Sequence, residues 1–298
     1  MESSGIATAT VGDIELAYET FGDPAGIPVL LVSGLGSQMI SYADELCAGL
    51  AERGLFVIRF DNRDVGLSTH LHSAGTPRLG DVRRGDRSSV HYELADMAAD
   101  AAGLIQVLGL DSVHLVGVSM GGMIAQRVAI TYPERVRSLT SIMSTTGDRS
   151  VGGASEAAQA VLYAPPATDR EGAIQRQLET SRVIGSPGFP FDEEAVRARA
   201  GLAFDRAHDP AGVARQMAAI VTSPDRTADL GRVAAPTLVI HGSDDALVNV
   251  SGGRATAAAV PSAELVVIDG MGHDLPRPLW PELIERIGGL VSRVEGRV

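Results

Sequence analysis

Ser119 lies between Gly117 and Gly121 in Gly117-Val118-Ser119-Met120-Gly121. The apolar run Val113-His114-Leu115-Val116 precedes it, and a helix-like segment, residues 123–132, follows and stops at Pro133. A turn this tight between a strand and a helix holds the serine in an uncommon backbone conformation. Side chains two positions before and after would clash across the turn, which explains glycine at both. The hydroxyl is pushed into the open at the positive end of a helix. That arrangement suits attack on a carbonyl carbon. Serine is a weak nucleophile at neutral pH, so it needs a base, and the base needs an acid to fix its tautomer.

Seven histidines are available for the base. His273 is the best placed, in Gly270-Met271-Gly272-His273 just past the last expected strand, where glycines let the chain bend. His241 closes another strand beside the acid candidates and is the runner-up, although a supporting role suits it better. His114 falls inside the elbow strand. His70, His72, His91 and His208 fall in polar loops or at helix starts. A strand–serine–helix elbow goes with the chain order Ser, Asp, His, which places the acid between Ser119 and His273. Asp244, Asp245 and Asp148 all lie in loops at strand ends in that interval, and spacing alone leaves the three open. The oxyanion needs two N–H donors. The residue after the nucleophile, Met120, offers one, and Leu35 in Ser33-Gly34-Leu35-Gly36 offers the other. Gly34, Met39 and Met271 are expected near the mouth of the site as substrate-binding residues.

These residues must be held by a repeating strand–helix framework. Ile6 and Ile14 begin two alternating runs around Gly12-Asp13, a hairpin signal. The continuous apolar run at residues 29–32 suits a strand buried on both faces, and further strands are expected at 56–60, 113–118, 136–143, 237–242 and 264–269. Helical spacing appears at residues 42–53, 92–108, 123–132, 253–260 and 280–291. The alternation predicts an α/β fold with a mostly parallel central sheet and helices on both faces. It breaks after Ser144. Residues 145–233 read as helices, with candidates at 154–162, 170–183, 193–204 and 212–221, and form a helical cap (lid) inserted late in the sheet. Residues 1–144 and 234–298 form the core. The polar stretch 69–87 reads as an exposed loop.

Composition narrows the function. Asp and Glu number 37 against 25 arginines and no lysine, so the net charge of -12 argues against nucleic acid or an anionic membrane as partner. The single Cys47 cannot form an internal disulfide. No secretory signal or membrane-length apolar run is visible, and a cytoplasmic location is expected. No metal-binding or nucleotide-binding motif occurs, so no metal and no cofactor are expected. The composition is compatible with a homodimer.

Together, Ser33-Gly34-Leu35-Gly36, Asp61-Asn62-Arg63-Asp64-Val65-Gly66-Leu67-Ser68, the Ser119 elbow, His241-Gly242-Ser243-Asp244-Asp245 and Gly270-Met271-Gly272-His273 resemble the α/β-hydrolase family. In that family the acid usually stands three residues after the glycine, which selects Asp245. Two departures are visible: Asn249 stands where the family often has proline, and Ser33 where it usually has histidine. The Asp61–Ser68 segment, Phe189-Pro190-Phe191-Asp192 and the His273 loop are most similar to the aclacinomycin methylesterase group and related bacterial esterases and lipases. The resemblance implies a carboxylic ester hydrolase acting on a small hydrophobic or polyketide-like ester through an acyl-enzyme. Lactonase, thioesterase, carbon–carbon hydrolase and cofactor-free haloperoxidase or perhydrolase chemistry use the same triad, and a receptor-like binding protein keeps it without fast turnover. Haloalkane dehalogenases and epoxide hydrolases are set aside, because they carry aspartate at the elbow.

Overall fold

The computed structural model describes residues 3–297. Ala7–Val11 (β1) and Ile14–Phe21 (β2) pair as an antiparallel hairpin, with Val11 opposite Ile14 across the Gly12-Asp13 turn. Ile27–Val32 (β3) is buried along its whole length, as a strand covered on both faces must be. Asp44–Ala51 (α1) leads into Leu55–Phe60 (β4), then Leu79–Arg83 (α2) and Leu94–Val107 (α3). Val113–Val118 (β5), Met120–Thr131 (α4) and Val136–Ile142 (β6) follow. Five helices come before the next strand: Glu156–Leu162 (α5), Arg170–Ile184 (α6), Glu193–Arg206 (α7), Pro210–Thr222 (α8) and Thr227–Leu230 (α9). Thr237–Gly242 (β7), Ser251–Ala259 (α10), Glu264–Ile268 (β8) and Trp280–Val294 (α11) complete the chain.

The eight strands form one sheet in the order β1-β2-β4-β3-β5-β6-β7-β8. Only the β1–β2 and β2–β4 pairs are antiparallel. Successive side chains of a strand point to opposite faces, and the core divides accordingly. Leu30, Val32, Ile58, Phe60 and Leu115 pack under α3 and α4 with Met97, Leu104, Ile124 and Val128. Val29, Leu31, Val57, Val116 and Ile240 pack under α1 and α11 with Leu46, Leu50, Leu283 and Ile287. At about 25 cal/mol per Å² of buried apolar surface, these two layers dominate the stability of the sheet.

Two short helices depart from the sequence reading. The stretch 69–87 is not all loop, because α2 forms there and buries Val82. Helix α9 buries Leu230 completely. Elements of four or five residues are too short to show a helical period, so only their tertiary contacts reveal them. Helix α4 begins at Met120, three residues earlier than its apolar spacing suggests, with the Ser119 carbonyl accepting its first N–H groups, those of Gly122 and Met123.

Candidate active site

The parallel strands β3, β5, β7 and β8 all end on one edge of the sheet, and each leads into a loop of interest. After β5 the chain reverses at Ser119, whose φ of 56° and ψ of -120° lie in a region most residues avoid. Such a residue costs about 1–3 kcal/mol and persists only where its surroundings fix it. Here its N–H donates to the Ile142 carbonyl at 2.9 Å. Its carbonyl accepts from the N–H groups of Gly122 and Met123 and from Ser144 Oγ at 2.9 Å. The flanking glycines are forced by close approach. A Cβ on Gly117 would lie 2.2 Å from the Gly121 carbonyl oxygen, and one on Gly121 would lie 2.0 Å from the Val32 oxygen.

His273 Nε2 lies 2.9 Å from Ser119 Oγ, and its Nδ1 lies 2.7 Å from Asp245 Oδ2. An ionised carboxylate only accepts, so the ring proton sits on Nδ1 and Nε2 is free to accept from the serine hydroxyl. Asp245 Oδ1 accepts the N–H groups of Leu247 at 2.9 Å and Val248 at 2.8 Å. Burial pushes the Asp245 carboxyl up. Hydrogen bonds from His241 and His273, the His273 charge and the Val248 N–H outweigh it and hold the group at about 2. The Asp245 carboxyl is therefore ionised at neutral pH.

The other candidates do different things. Asp244 accepts from Ser243 Oγ at 2.6 Å and from Gly270 N–H at 3.1 Å, and Asp148 accepts from the N–H and hydroxyl of Ser150. Neither carboxylate turns toward His273. His241 is fully buried, donates from Nε2 to the Val248 carbonyl at 2.7 Å and lies 3.4 Å from Asp245 Oδ2. It braces the acid loop and leaves the serine to His273. His114 is bonded to Ser138 Oγ at 2.7 Å and to Glu295, within the sheet layer.

The loop after β3 approaches Ser119 from the other side. A Cβ on Gly34 would stand 3.3 Å from Ser119 Cβ. The Gly36 N–H donates to Gln216 Oε1 at 2.9 Å, and the Ser37 N–H to the Gly34 carbonyl. Among the described residues, the N–H groups of Leu35 and Met120 have no protein acceptor. Met39 and Met271 correct the sequence reading: both have no exposed surface. Met271 packs with Ile240 and Ile268 in the core, and its carbonyl accepts the Asp244 N–H.

Several residues of the site escaped sequence reasoning. Arg206 on α7 donates to buried Asp61 at 2.7 Å. Arg215 on α8 binds both oxygens of buried Asp64 at 2.8 and 2.7 Å. Gln216 links Gly36 N–H to the Arg63 carbonyl, at 2.9 and 2.7 Å. The available signal was two aspartates, Asp61 and Asp64, directly after an expected strand, which demand cations once they are buried there. Ligand atoms of His70, His72 and Asp209 come within 4.8 Å of one another, a spacing that could hold a metal. Here they join a protein network: His70 bonds Asp209 and the Gly66 carbonyl, and Asp209 lies 3.2 Å from Arg215.

A family model described as the alpha/beta hydrolase fold matches residues 27–276. The chain is 31% identical over 291 residues to the rhodomycin D methylesterase DnrP of Streptomyces peucetius, covering 90% of this chain and 91% of that protein. It is 30% identical over 260 residues to a putative carbamate hydrolase, RutD, of Variovorax paradoxus (strain S110), covering 87% and 89%. Among solved structures, a thermophilic esterase from Thermogutta terrifontis superposes with a TM-score of 0.70 at 26% identity, over 98% of this chain and 99% of that one.

Proposed function

The chain belongs to the α/β-hydrolase family, and on that premise we propose that it hydrolyses a carboxylic ester through an acyl-enzyme formed on Ser119. The observation that carries this reading is the continuous line Ser119 Oγ–His273 Nε2, His273 Nδ1–Asp245 Oδ2, at 2.9 and 2.7 Å. His273 takes the proton from Ser119 as the oxygen attacks the ester carbonyl. The N–H groups of Leu35 and Met120 receive the oxyanion, and each donor is worth about 3 kcal/mol to the transition state. His273 then protonates the departing alcohol. A water activated by the same nitrogen attacks the acyl-enzyme and releases the acid. Asp245, charged throughout, holds the imidazole in the productive tautomer.

Residues 145–233 act as a cap over the core formed by 1–144 and 234–298. The relation to a rhodomycin D methylesterase supports a methyl ester on a bulky polycyclic acid as the substrate class. In this reading the small methanol leaves and the cap accommodates the large acyl side. The test compares a methyl ester of a polycyclic aromatic acid with a thioester, a lactone and a carbamate of similar size, for the wild type and Ser119→Ala. Methyl-ester turnover that falls by at least about 10⁴-fold in Ser119→Ala is expected. Undiminished turnover in that variant removes the nucleophile assignment. Preference for the carbamate or lactone removes the ester.

A further inference from the structure

The loop that carries His273 is bonded to the end of α6, a helix of the segment between β6 and β7. The His273 N–H donates to the Ile184 carbonyl at 2.6 Å, and the Gly188 N–H donates to the Gly270 carbonyl at 2.9 Å. Between these two backbone bonds stands Ser186. Its Oγ accepts the Gly272 N–H at 2.9 Å and donates to Asp274 Oδ1. One hydroxyl thus bonds the residues immediately before and after His273. The approach is close enough to exclude side chains: a Cβ on Gly272 would lie 2.2 Å from the Gly185 carbonyl oxygen, and one on Gly188 would lie 2.6 Å from Gly270 Cα.

We propose that Ser186 is a positioning residue for the base: it fixes the His273 loop from the helical segment, so that residues 184–188 form part of the catalytic frame. This rests on the reading of His273 as the base for Ser119. The physical need is plain. His273 is held to Asp245 and Ser119 by its ring, and its backbone lies outside any helix or strand, next to Gly272, which brings no side chain to pack. A side-chain clamp on both neighbours limits rotation of that loop, and small displacements of a reacting group carry large losses in rate. Asp274 is the acceptor that orients the hydroxyl, leaving the Ser186 lone pairs for Gly272. The charge of Arg199 on α7 acts on Asp274 from the same helical segment. The connection at 184–188 is consequently a fixed point of that segment; any opening must occur elsewhere, away from this seam.

The test uses the full chain and two readouts, kcat and KM for p-nitrophenyl acetate and the rate at which a fluorophosphonate labels Ser119. Ser186→Ala is expected to lower kcat and the labelling rate by about tenfold with KM within about twofold, and Ser186→Thr to recover most of the loss. Wild-type labelling by Ser186→Ala overturns the proposal, as does a threonine variant as slow as the alanine one. If Ser186→Ala does not fold, the same bond is read from its other end. Asp274→Ala should lose as much, and Asp274→Asn, which keeps an acceptor for the hydroxyl, should recover most of it; equal rates in those two variants overturn the proposal. A wild type that labels rapidly yet turns over no ester removes the ester reading and leaves the clamp to be judged on labelling rates.

Discussion

Two regions meet at the loops after β3, β4 and β8, and they are held by different forces. The sheet is fixed by non-directional burial: β3 and β7 are buried at every position, and helices cover both faces with large aliphatic layers. The helices α6 and α7 share a core of only four buried residues, Ile174, Leu178, Val196 and Ala200. Helices α7 and α8 are tied to the strand-end loops by polar side chains, Arg206 to Asp61, Arg215 to Asp64 and Gln216 to Gly36. A packed sheet tolerates exchange of one apolar side chain for another of similar volume. A buried guanidinium–carboxylate pair tolerates no truncation of one partner, because the remaining charge is stranded. The difference teaches where each region is vulnerable: the sheet side in its catalytic loops, the helical side in its few ionic anchors.

The largest expected effect isolates the sheet side. Asp245→Asn keeps the shape and reverses the hydrogen-bonding logic at His273 Nδ1, so turnover should fall by about 10³–10⁴-fold with the circular-dichroism spectrum retained. A loss below tenfold would mean that the acid acts from another residue. Next comes the seam between the regions. Arg215 and Asp64 have almost no exposed side-chain surface, and Arg215→Ala should cost about 3–5 kcal/mol in denaturant unfolding. A change under about 1 kcal/mol would show that these helices are anchored by packing after all.

A smaller effect is read by pH. The Asp245 carboxyl sits at about 2 in the folded chain, below its ordinary value near 3.9 when unfolded. A depressed group stabilises the fold above its unfolded value and loses that contribution as pH falls through the folded one. About 2 kcal/mol should therefore disappear between pH 4 and 2, and Asp245→Asn should flatten that part of the curve. Parallel curves for the two proteins would contradict the low value. The smallest effect concerns the outer face of α6 and α7. Arg170 and Asp205 are both half exposed, and Arg170→Ala should leave the melting temperature within about 1 °C, since solvent screens such pairs. A larger drop would promote surface charge to a real fastening of the helical region.

Much of this was legible in the chain. Glycines two residues either side of Ser119 are needed by any turn of that shape, and a run such as Val29-Leu30-Leu31-Val32 suits a strand covered on both faces. Both signals are local, arising from backbone sterics and side-chain polarity over a few residues. His273 was readable because glycines and a strand end mark its loop. The choice among Asp148, Asp244 and Asp245 needed the family resemblance, and the geometry then shows Asp245 at 2.7 Å from the ring. Met39 and Met271, expected near the mouth, are fully buried, because proximity along the chain to a loop does not say how an apolar side chain packs.

What the sequence determined by itself is the strand–helix rhythm, the elbow and the residue types able to remove and hold a proton. What only the tertiary structure decided is the fastening: Ser186 on the His273 loop, and Arg206, Arg215 and Gln216 on the loops after β3 and β4. These contacts join residues 86 to 180 positions apart. Backbone sterics and hydrophobic period act over one or two turns of chain. A hydrogen bond or ion pair between distant residues leaves no period to read, and it exists only once burial has brought its two ends together.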